Sequence, residues 1–314
     1  MKNILIFGSL AHDRIMVFPG YFRDRILPDQ IHTLNVSFGV DTLEERTGGT
    51  AGNIAYTLSL LGERPEIIAS VGKDSKSMLE RYRGFGISTK HVAVHEDILS
   101  SVATIITDRA NNQITGFYKG AMSRETGFSL KNFNPSDTLL VIAAGNQDEM
   151  LKLAREAREY GIPFIVDSGQ ATTGLDADQL KTLITGARFC TCNDYEYSII
   201  LDRLKIDADA LLELVEGIAV TFGGKGSLLR TRDSLEHVHA CTIEQVKDPT
   251  GAGDAFRAGF IKGLSLNFSL PQIGRIANTA ASFAVQEMGT QGHTFTEVLF
   301  KKRYEENYHE TCPL

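Results

Sequence analysis

The chain has 314 residues, with 32 Lys plus Arg against 39 Asp plus Glu, a formal charge of −7. Apolar residues make up 42% and charged residues 23%, an ordinary balance for a soluble globular protein. The acidic excess argues against a nucleic-acid binder, which usually carries a basic face, and no run reaches the roughly 18 apolar residues of a membrane helix. A chain of this length fits about two domains, or one large α/β unit with an appendage, and buries enough surface to need no staple. Cys190, Cys192, Cys241 and Cys312 are too sparse for a disulfide framework. The opening MKNILIFGSLAHD has too short an apolar stretch for a secretory signal, so a cytoplasmic, reduced protein is expected.

Ile4 to Gly8 reads as a first buried strand. Asp13, just beyond it, has the plain reading of a turn residue. Residues 14–46 contain no convincing helix. GGTAGNIAYTLSLLG at 48–62 then runs from a Gly pair into an apolar-periodic helix. The Gly pair suits either a tight turn or close backbone approach to a ligand, and Asn53 reads as a helix cap. Glu66 to Val71 is a second buried strand. Residues 99–119 again lack a helix; Ser101 to Thr107 and Gln113 to Tyr118 are strand-like, joined by the turn-prone Arg109-Ala110-Asn111-Asn112. Together, 14–46 and 99–119 read as a small discontinuous β appendage on a main unit of 1–13, 47–98 and 120–314.

Thr138 to Ala143 and Pro163 to Asp167 read as further buried strands, separated by a helix from Gln147 to Tyr160 that stops at Gly161. Alternation of this kind predicts an α/β fold with a doubly wound, mostly parallel sheet, whose ligands sit at the carboxyl ends of the strands. TFGGKGS at 221–227 lies between apolar runs and reads as a hairpin turn or a phosphate loop. It is not a Walker loop, because Gly226 follows Lys225 where Ser or Thr belongs. His237 and His239 alternate along a strand, as do Cys190 and Cys192, but neither pair has a second pair at zinc spacing. The sequons at Asn35 and Asn267 carry no meaning in a cytoplasmic chain. From Glu297 onward the chain reads as a surface helix and polar tail.

DPTGAGDAFRAGF at 248–260 is the sharpest signal. Pro249 and the glycines forbid helix before about Gly251, and Ala252 to Phe260 reads as helix. Gly251, Ala252 and Gly253 therefore bring bare N–H groups and a helix dipole to one point, a site for phosphate. Asp254 lies in the first turn, where the dipole should keep it ionised.

These motifs, in this order, resemble those of the ribokinase-type (PfkB) sugar and nucleoside kinases, along nearly the whole chain. GGTAGN at 48–53 matches the family's first signature, DPTGAGDAF at 248–256 its second, NDYE at 193–196 its N-x-x-E motif and TFGGKGS its nucleotide loop. Within the family the likeness is to bacterial adenosine-kinase-type nucleoside kinases, carried by 8–22, 26–38, GFYKGAMS at 116–123 and VDSGQ at 166–170.

The resemblance implies a ribokinase-like fold with a β lid, acting on ATP and a nucleoside. Asp254 would be the catalytic base, and Gly251, Ala252 and Gly253 the anion hole. Asp13 would hold the ribose diol, helped by Gly49 and Asn53, with Ser9, Ser37, Phe117 and Gln170 lining the nucleoside pocket. Asn193, Thr221, Gly223, Gly224, Gly226 and Asn278 would meet ATP. Glu196 would act on Mg²⁺ through water, and Asp248 and Thr250 would form a monovalent-cation loop for K⁺. Relatives pair through their lids, so a homodimer is expected; no nucleic-acid or membrane partner is. Ala103 and Ala171 depart from the adenosine-kinase pattern by removing base contacts. A sugar kinase of the same fold stays open, kept by Arg14 and Lys119, against which Phe18, Phe38 and Phe117 favour a slot for a base, although each equally suits the core of the lid. A family-shaped binding protein without catalysis is a third reading, opposed by the intact Asp254.

Overall fold

The computed structural model describes residues 3–26, 36–110 and 112–314. The chain enters through β1 (Asn3–Phe7), whose Ile4 and Ile6 pack into one apolar layer while Leu5 and Phe7 pack into the other. Both faces are therefore covered, which is why the strand is apolar throughout rather than alternating. β2 (Ala11–Val17) and β3 (Thr42–Gly48) leave this layer. α1 (Thr50–Leu60), β4 (Glu66–Gly72), α2 (Lys76–Gly84) and β5 (Ser88–His95) return to it. β6 (Ser101–Thr107) and β7 (Gln113–Tyr118) leave again, on the residues the β-branched runs predict.

The remainder alternates as expected: β8 (Thr138–Ile142), α3 (Gln147–Glu159), β9 (Phe164–Val166), α4 (Ala177–Ile184), β10 (Phe189–Asn193), α5 (Asp194–Leu204) and α6 (Ala208–Leu211). A meander of β11 (Gly217–Thr221), β12 (Ser227–Thr231) and β13 (Leu235–Val238) follows, then α7 (Ala252–Ser265), α8 (Leu270–Ala284) and α9 (Glu297–Tyr308).

The large sheet has nine strands in the order β13-β12-β11-β10-β9-β8-β1-β4-β5 and is parallel from β11 to β5. From β1 the chain works outward through β4 to one edge, then restarts at β8 on the other side. The gap between the ends of β1 and β8 is thus the switch point at which such sheets bind ligands. Helices α1 and α7 pack together over one face, with Ile54, Leu58, Phe256 and Phe260 in a shared core.

β2, β3, β6 and β7 form a separate four-stranded sheet in the order β3-β2-β6-β7. Two expected boundaries shift. β2 begins at Ala11 and β3 ends at Gly48, so Asp13 is a strand residue of the small sheet rather than a turn residue of the main unit. α7 also runs past Phe260, because Ile261 and Leu264 continue its buried face. The last helix is no mere surface element: Phe300 and Tyr304 of α9 pack with Phe283 and Phe295, and Cys312 of the tail is buried beside them. Asn35 and Asn111 lie outside the described residues, as does most of 26–38. No helix among the described residues is long and apolar enough to cross a membrane.

Candidate active site

Gly251 starts α7 at φ +82, a conformation costly for any residue with a Cβ, and a Cβ there would also lie 2.9 Å from Thr290 Cα. Only glycine lets this loop turn so tightly into the helix. The expected row of bare donors is modified: Ala252 N–H already donates to Pro249 O at 3.2 Å. Among the described residues, the N–H groups of Gly251 and Gly253 have no backbone partner, so they are the donors at this helix start that an anion could use.

Asp254 follows in the first turn. Its Oδ2 accepts from Asn53 Nδ2 at 2.8 Å, and its Oδ1 faces Arg257 Nη1 at 3.5 Å. Asn53 is therefore not the cap of α1; it is buried inside that helix and spends its amide on Asp254. Burial pushes the Asp254 carboxyl up, Arg257 and Asn53 pull it down, and Glu196 pushes it up again; the balance is upward. The helix dipole alone does not set this group, because desolvation is the larger effect.

Arg257 sits one turn along α7, against three acids. Its Nε lies 2.5 Å from Asp167 Oδ2, and its Nη2 lies 4.0 Å from Glu196 Oε2. The Asp167 contact is an ion pair without hydrogen-bond alignment, and both Asp167 oxygens lack a hydrogen-bond partner. Burial lifts Asp167 to about 7 despite Arg257. Burial alone would lower Arg257, but Asp167, Asp254 and Glu196 outweigh it and hold the guanidinium charged.

The small sheet brings a second carboxylate near Asp254. Asp13 of β2 pairs with Ala103 of β6, which pairs with Phe117 of β7, so the three form one row on one face. Gly48 makes room for Asp13, since a Cβ there would meet Asp13 Oδ2 at 2.1 Å. Gly49, at φ +91, brings the chain against Ser9 O, where a Cβ would stand 2.5 Å away. Burial, and then repulsion from Asp254, raises Asp13 to about 6. Phe117, Lys119, Gly145, Gln170 and Ala171 line a space of about 470 Å³ at the ends of β8 and β9. Ser9 is less free than expected, because its Oγ accepts from Thr50 N at 3.0 Å and so holds the start of α1. Ser37 is exposed in the connection before β3. Phe18 and Phe38 pack on each other and on Phe22, forming the core of the small sheet's corner rather than a slot. Arg14 is engaged by Glu45 at 3.0 Å.

Against the start of α7 lies a mainly apolar space of about 450 Å³ lined by Gly224, Cys241, Val246, Gly253, Asn278 and Val285, among others. Thr221 to Ser227 is a hairpin connection, as its plain reading had it, yet Gly223, Gly224 and Gly226 also wall this space. Gly226, at φ +96, lies so close to Val238 O that a Cβ would stand 2.1 Å from it. Asn278 reaches the wall, but its Nδ2 is spent on Ser227 Oγ, Val238 O and His239 O, which ties α8 to the meander. Asn193 and Glu196 form a capping box on α5: Glu196 N–H donates to Asn193 Oδ1 at 2.7 Å and Asn193 N–H to Glu196 Oε2 at 2.9 Å. Asp248 accepts from Thr250 N–H and Gly289 N–H, both at 2.9 Å, joining the loop before α7 to the loop after α8. His237 lies on β13 and His239 just beyond it. Cys190 and Cys192 are core residues of β10. The described residues hold no cluster of three or more His, Cys, Asp or Glu set to bind a metal.

An acid at a glycine-started helix, with an apolar slot against the same helix start and a second sheet placing a carboxylate near it, is the arrangement at this corner. Residues 13–296 match the pfkB family of carbohydrate kinases. The chain belongs to that family. It is an ATP-dependent kinase with a ribokinase-like fold. A nucleoside kinase from Methanocaldococcus jannaschii is 33% identical over 260 residues, which span 82% of this chain and 85% of that protein. The structure of a Burkholderia thailandensis nucleoside kinase in complex with inosine matches at 34% identity and a TM-score of 0.88, covering 98% of this chain and 99% of that one. The same protein in complex with ADP-inosine matches at 35% identity and 0.86, covering 98% and 97%.

Sequence reasoning missed three residues of this pfkB kinase's site. Arg257 had a signal, since it stands three places after Asp254 and so on the same helix face. Asp167 directly follows β9, at the strand ends where sites form. Gln291, which donates to Asn53 Oδ1 at 3.0 Å, lies in a loop with no motif to mark it.

Proposed function

We propose that this kinase transfers the γ-phosphoryl group of ATP to the 5′-hydroxyl of a purine nucleoside, yielding the nucleoside 5′-monophosphate and ADP. The observation that carries the reading is Asp254 at the glycine-started end of α7, near enough to Asp13 of the small sheet to repel it, with an apolar slot for adenine lined by its neighbours Ala252 and Gly253 and a separate cleft for the nucleoside base lined by Phe117 and Gln170. The Asp13 carboxylate accepts from both hydroxyls of a ribose diol, Asn53 and Gly49 flank it, and Phe117 offers a face to the base. Ala103 stands between Asp13 and Phe117 and leaves that row open. We read this, with Ala171, as a broader purine pocket rather than a strict adenosine site, with adenosine and inosine both accepted.

Asp254 takes the 5′-hydroxyl proton as the oxygen bonds to the γ-phosphorus and the bond to ADP breaks. Such a transition state is loose, so alignment and charge stabilisation do most of the work. The Gly251 and Gly253 N–H groups meet the charge of the transferring phosphoryl. Glu196 and Asn193, beside the slot and already locked by their capping box, suit Mg²⁺, which keeps its waters and needs few protein ligands. When bound with ATP the ion neutralises phosphate charge. Asp248 and Thr250 fit a K⁺ loop, since each Asp248 oxygen keeps a lone pair beyond its backbone bond. The small sheet closes over the cleft and excludes water, and its outer face pairs with a second copy.

The test is ADP release from ATP and Mg²⁺ with adenosine, inosine, guanosine, cytidine, ribose, fructose and fructose 6-phosphate. Selective turnover of purine nucleosides supports the reading. Turnover of a sugar phosphate alone refutes it, and would assign Lys119 in the cleft to the second phosphate.

A further inference from the structure

Asn53 can orient Asp254 only if its own amide is held the right way round. The structure supplies a chain that does this. Thr47 Oγ1 of β3 donates to Gln291 Oε1 at 3.0 Å; Gln291 Nε2 donates to Asn53 Oδ1 at 3.0 Å; Asn53 Nδ2 donates to Asp254 Oδ2 at 2.8 Å. Gln291 Nε2 also reaches the Tyr82 hydroxyl at 3.0 Å. Gln291, Asn53 and Tyr82 are all buried, so each bond lost leaves a polar group that must find another partner. Gly52 makes the junction possible, since a Cβ there would lie 2.1 Å from the Tyr82 hydroxyl.

The polarity of the chain is fixed from its charged end. A carboxylate only accepts, so Asn53 must turn its NH₂ toward Asp254 and its oxygen toward Gln291, which must in turn present an NH₂. The far end is in the small sheet. Thr47 and Arg46 of β3 both hold the 288–291 loop, Arg46 Nη1 donating to Met288 O at 2.5 Å. The same loop touches the cation loop through Gly289 N–H and the anion-hole turn through Thr290.

We propose that Gln291 is a positioning residue: it reads the seating of lid strand β3 and, through Asn53, aims the Asp254 carboxylate. The proposal rests on the reading of Asp254 as the base.

Two variants separate aiming from mere support. Gln291→Glu keeps shape and still accepts from the Thr47 hydroxyl, while the Tyr82 hydroxyl, which accepts from Gln291 Nε2 in the wild type, can turn its proton to the new carboxylate, so the fold-holding contacts survive. It presents no donor to Asn53, whose amide must flip and turn its oxygen on Asp254. Gln291→Met also keeps volume but strands the Thr47 hydroxyl and the buried Tyr82 and Asn53 groups, while leaving Asn53 free to keep its orientation. With the full chain, ATP, Mg²⁺ and inosine or adenosine, Gln291→Glu should lower kcat by about tenfold or more. The nucleoside KM should move by less than about threefold, because a ribose hydroxyl can either donate or accept. Gln291→Met should lose only about threefold in kcat, yet its Tm should fall by about 3 °C or more while that of Gln291→Glu stays near wild type. Activity and stability then rank the two variants in opposite orders.

Wild-type kcat in Gln291→Glu, or the same ranking in both measurements, overturns the proposal. Should Gln291→Glu fail to fold, Gln291→Met and Asn53→Ala carry the test: combined losses in ln kcat smaller than their sum support the relay, and full additivity overturns it. A wild type that phosphorylates no member of the nucleoside and sugar panel defeats the reading of Asp254 itself. A working wild type with an indifferent Gln291→Glu defeats the relay alone.

Discussion

The corner around Asp254 and the small sheet beside it are built on opposite terms. At the corner, Asp254 has Asn53 on one oxygen and Arg257 facing the other, Arg257 is braced by Asp167, and two glycines close the turn. In the small sheet, all of β7 is exposed and β3 is buried only at its last residue, Gly48. Its firm points are the Phe18, Phe22 and Phe38 cluster and Asp108, which accepts from the Phe22, Ala110 and Asn112 backbone N–H groups. On the proposed function, chemistry that tolerates little misplacement would sit on the braced corner, and substrate contacts that open and close would sit on the lightly buried sheet.

If that division holds, damage at the corner should appear in kcat and stability, and damage in the sheet in KM. The largest effect is expected for Asp254→Asn, with kcat reduced by about a thousandfold at nearly unchanged nucleoside affinity, measured by steady-state kinetics. Gly251→Ala should follow: a Cβ at φ +82 beside Thr290 should lower stability by about 1–3 kcal/mol, read by thermal melting, and lower kcat with it. Phe117→Ala removes a stacking face from the sheet and should raise the nucleoside KM by about tenfold with kcat within about threefold.

Asp13 offers a pH test. Its carboxyl must be ionised to accept from a diol, so the nucleoside KM should be flat above about 6 and rise as pH falls through that value. Folding stability should run the other way. The folded state binds the proton more tightly, so stability falls as pH rises from the ordinary 3.8 to about 6. Asp13→Asn should abolish both trends, raising stability near pH 7.5 by on the order of 1 kcal/mol while losing substrate affinity. The smallest effect is reserved for Gly116→Ala in β7. A Cβ there meets nothing within 4 Å, so the change should stay within about 0.5 kcal/mol. A large effect there would break the contrast between the two regions.

Much of this was readable from the chain, for physical reasons. β6 and β7 match their expected residues because β-branched runs and a polar turn leave few alternatives. The glycine-started helix before Asp254 was legible because Pro249 and two glycines exclude other conformations. What was not legible depended on distant partners. Asn53 looks like a cap until Asp254 is placed beside it, 201 residues away in sequence. Phe18 and Phe38 look like a base slot until they meet each other. Ala252 looks like a free donor until Pro249 O closes on it. Gln291 has no local pattern at all, because the three groups it joins, Thr47, Asn53 and Tyr82, are distant in sequence.

The measurement that tests the central claim most directly is the identity of the product made from ATP, Mg²⁺ and an equimolar mixture of inosine, adenosine and fructose 6-phosphate, by wild type and by Asp254→Asn. The account expects nucleoside 5′-monophosphates from the wild type, seen by ³¹P NMR, and almost none from the variant. Phosphorylation of the sugar phosphate in preference to both nucleosides, or undiminished product from Asp254→Asn, would contradict it.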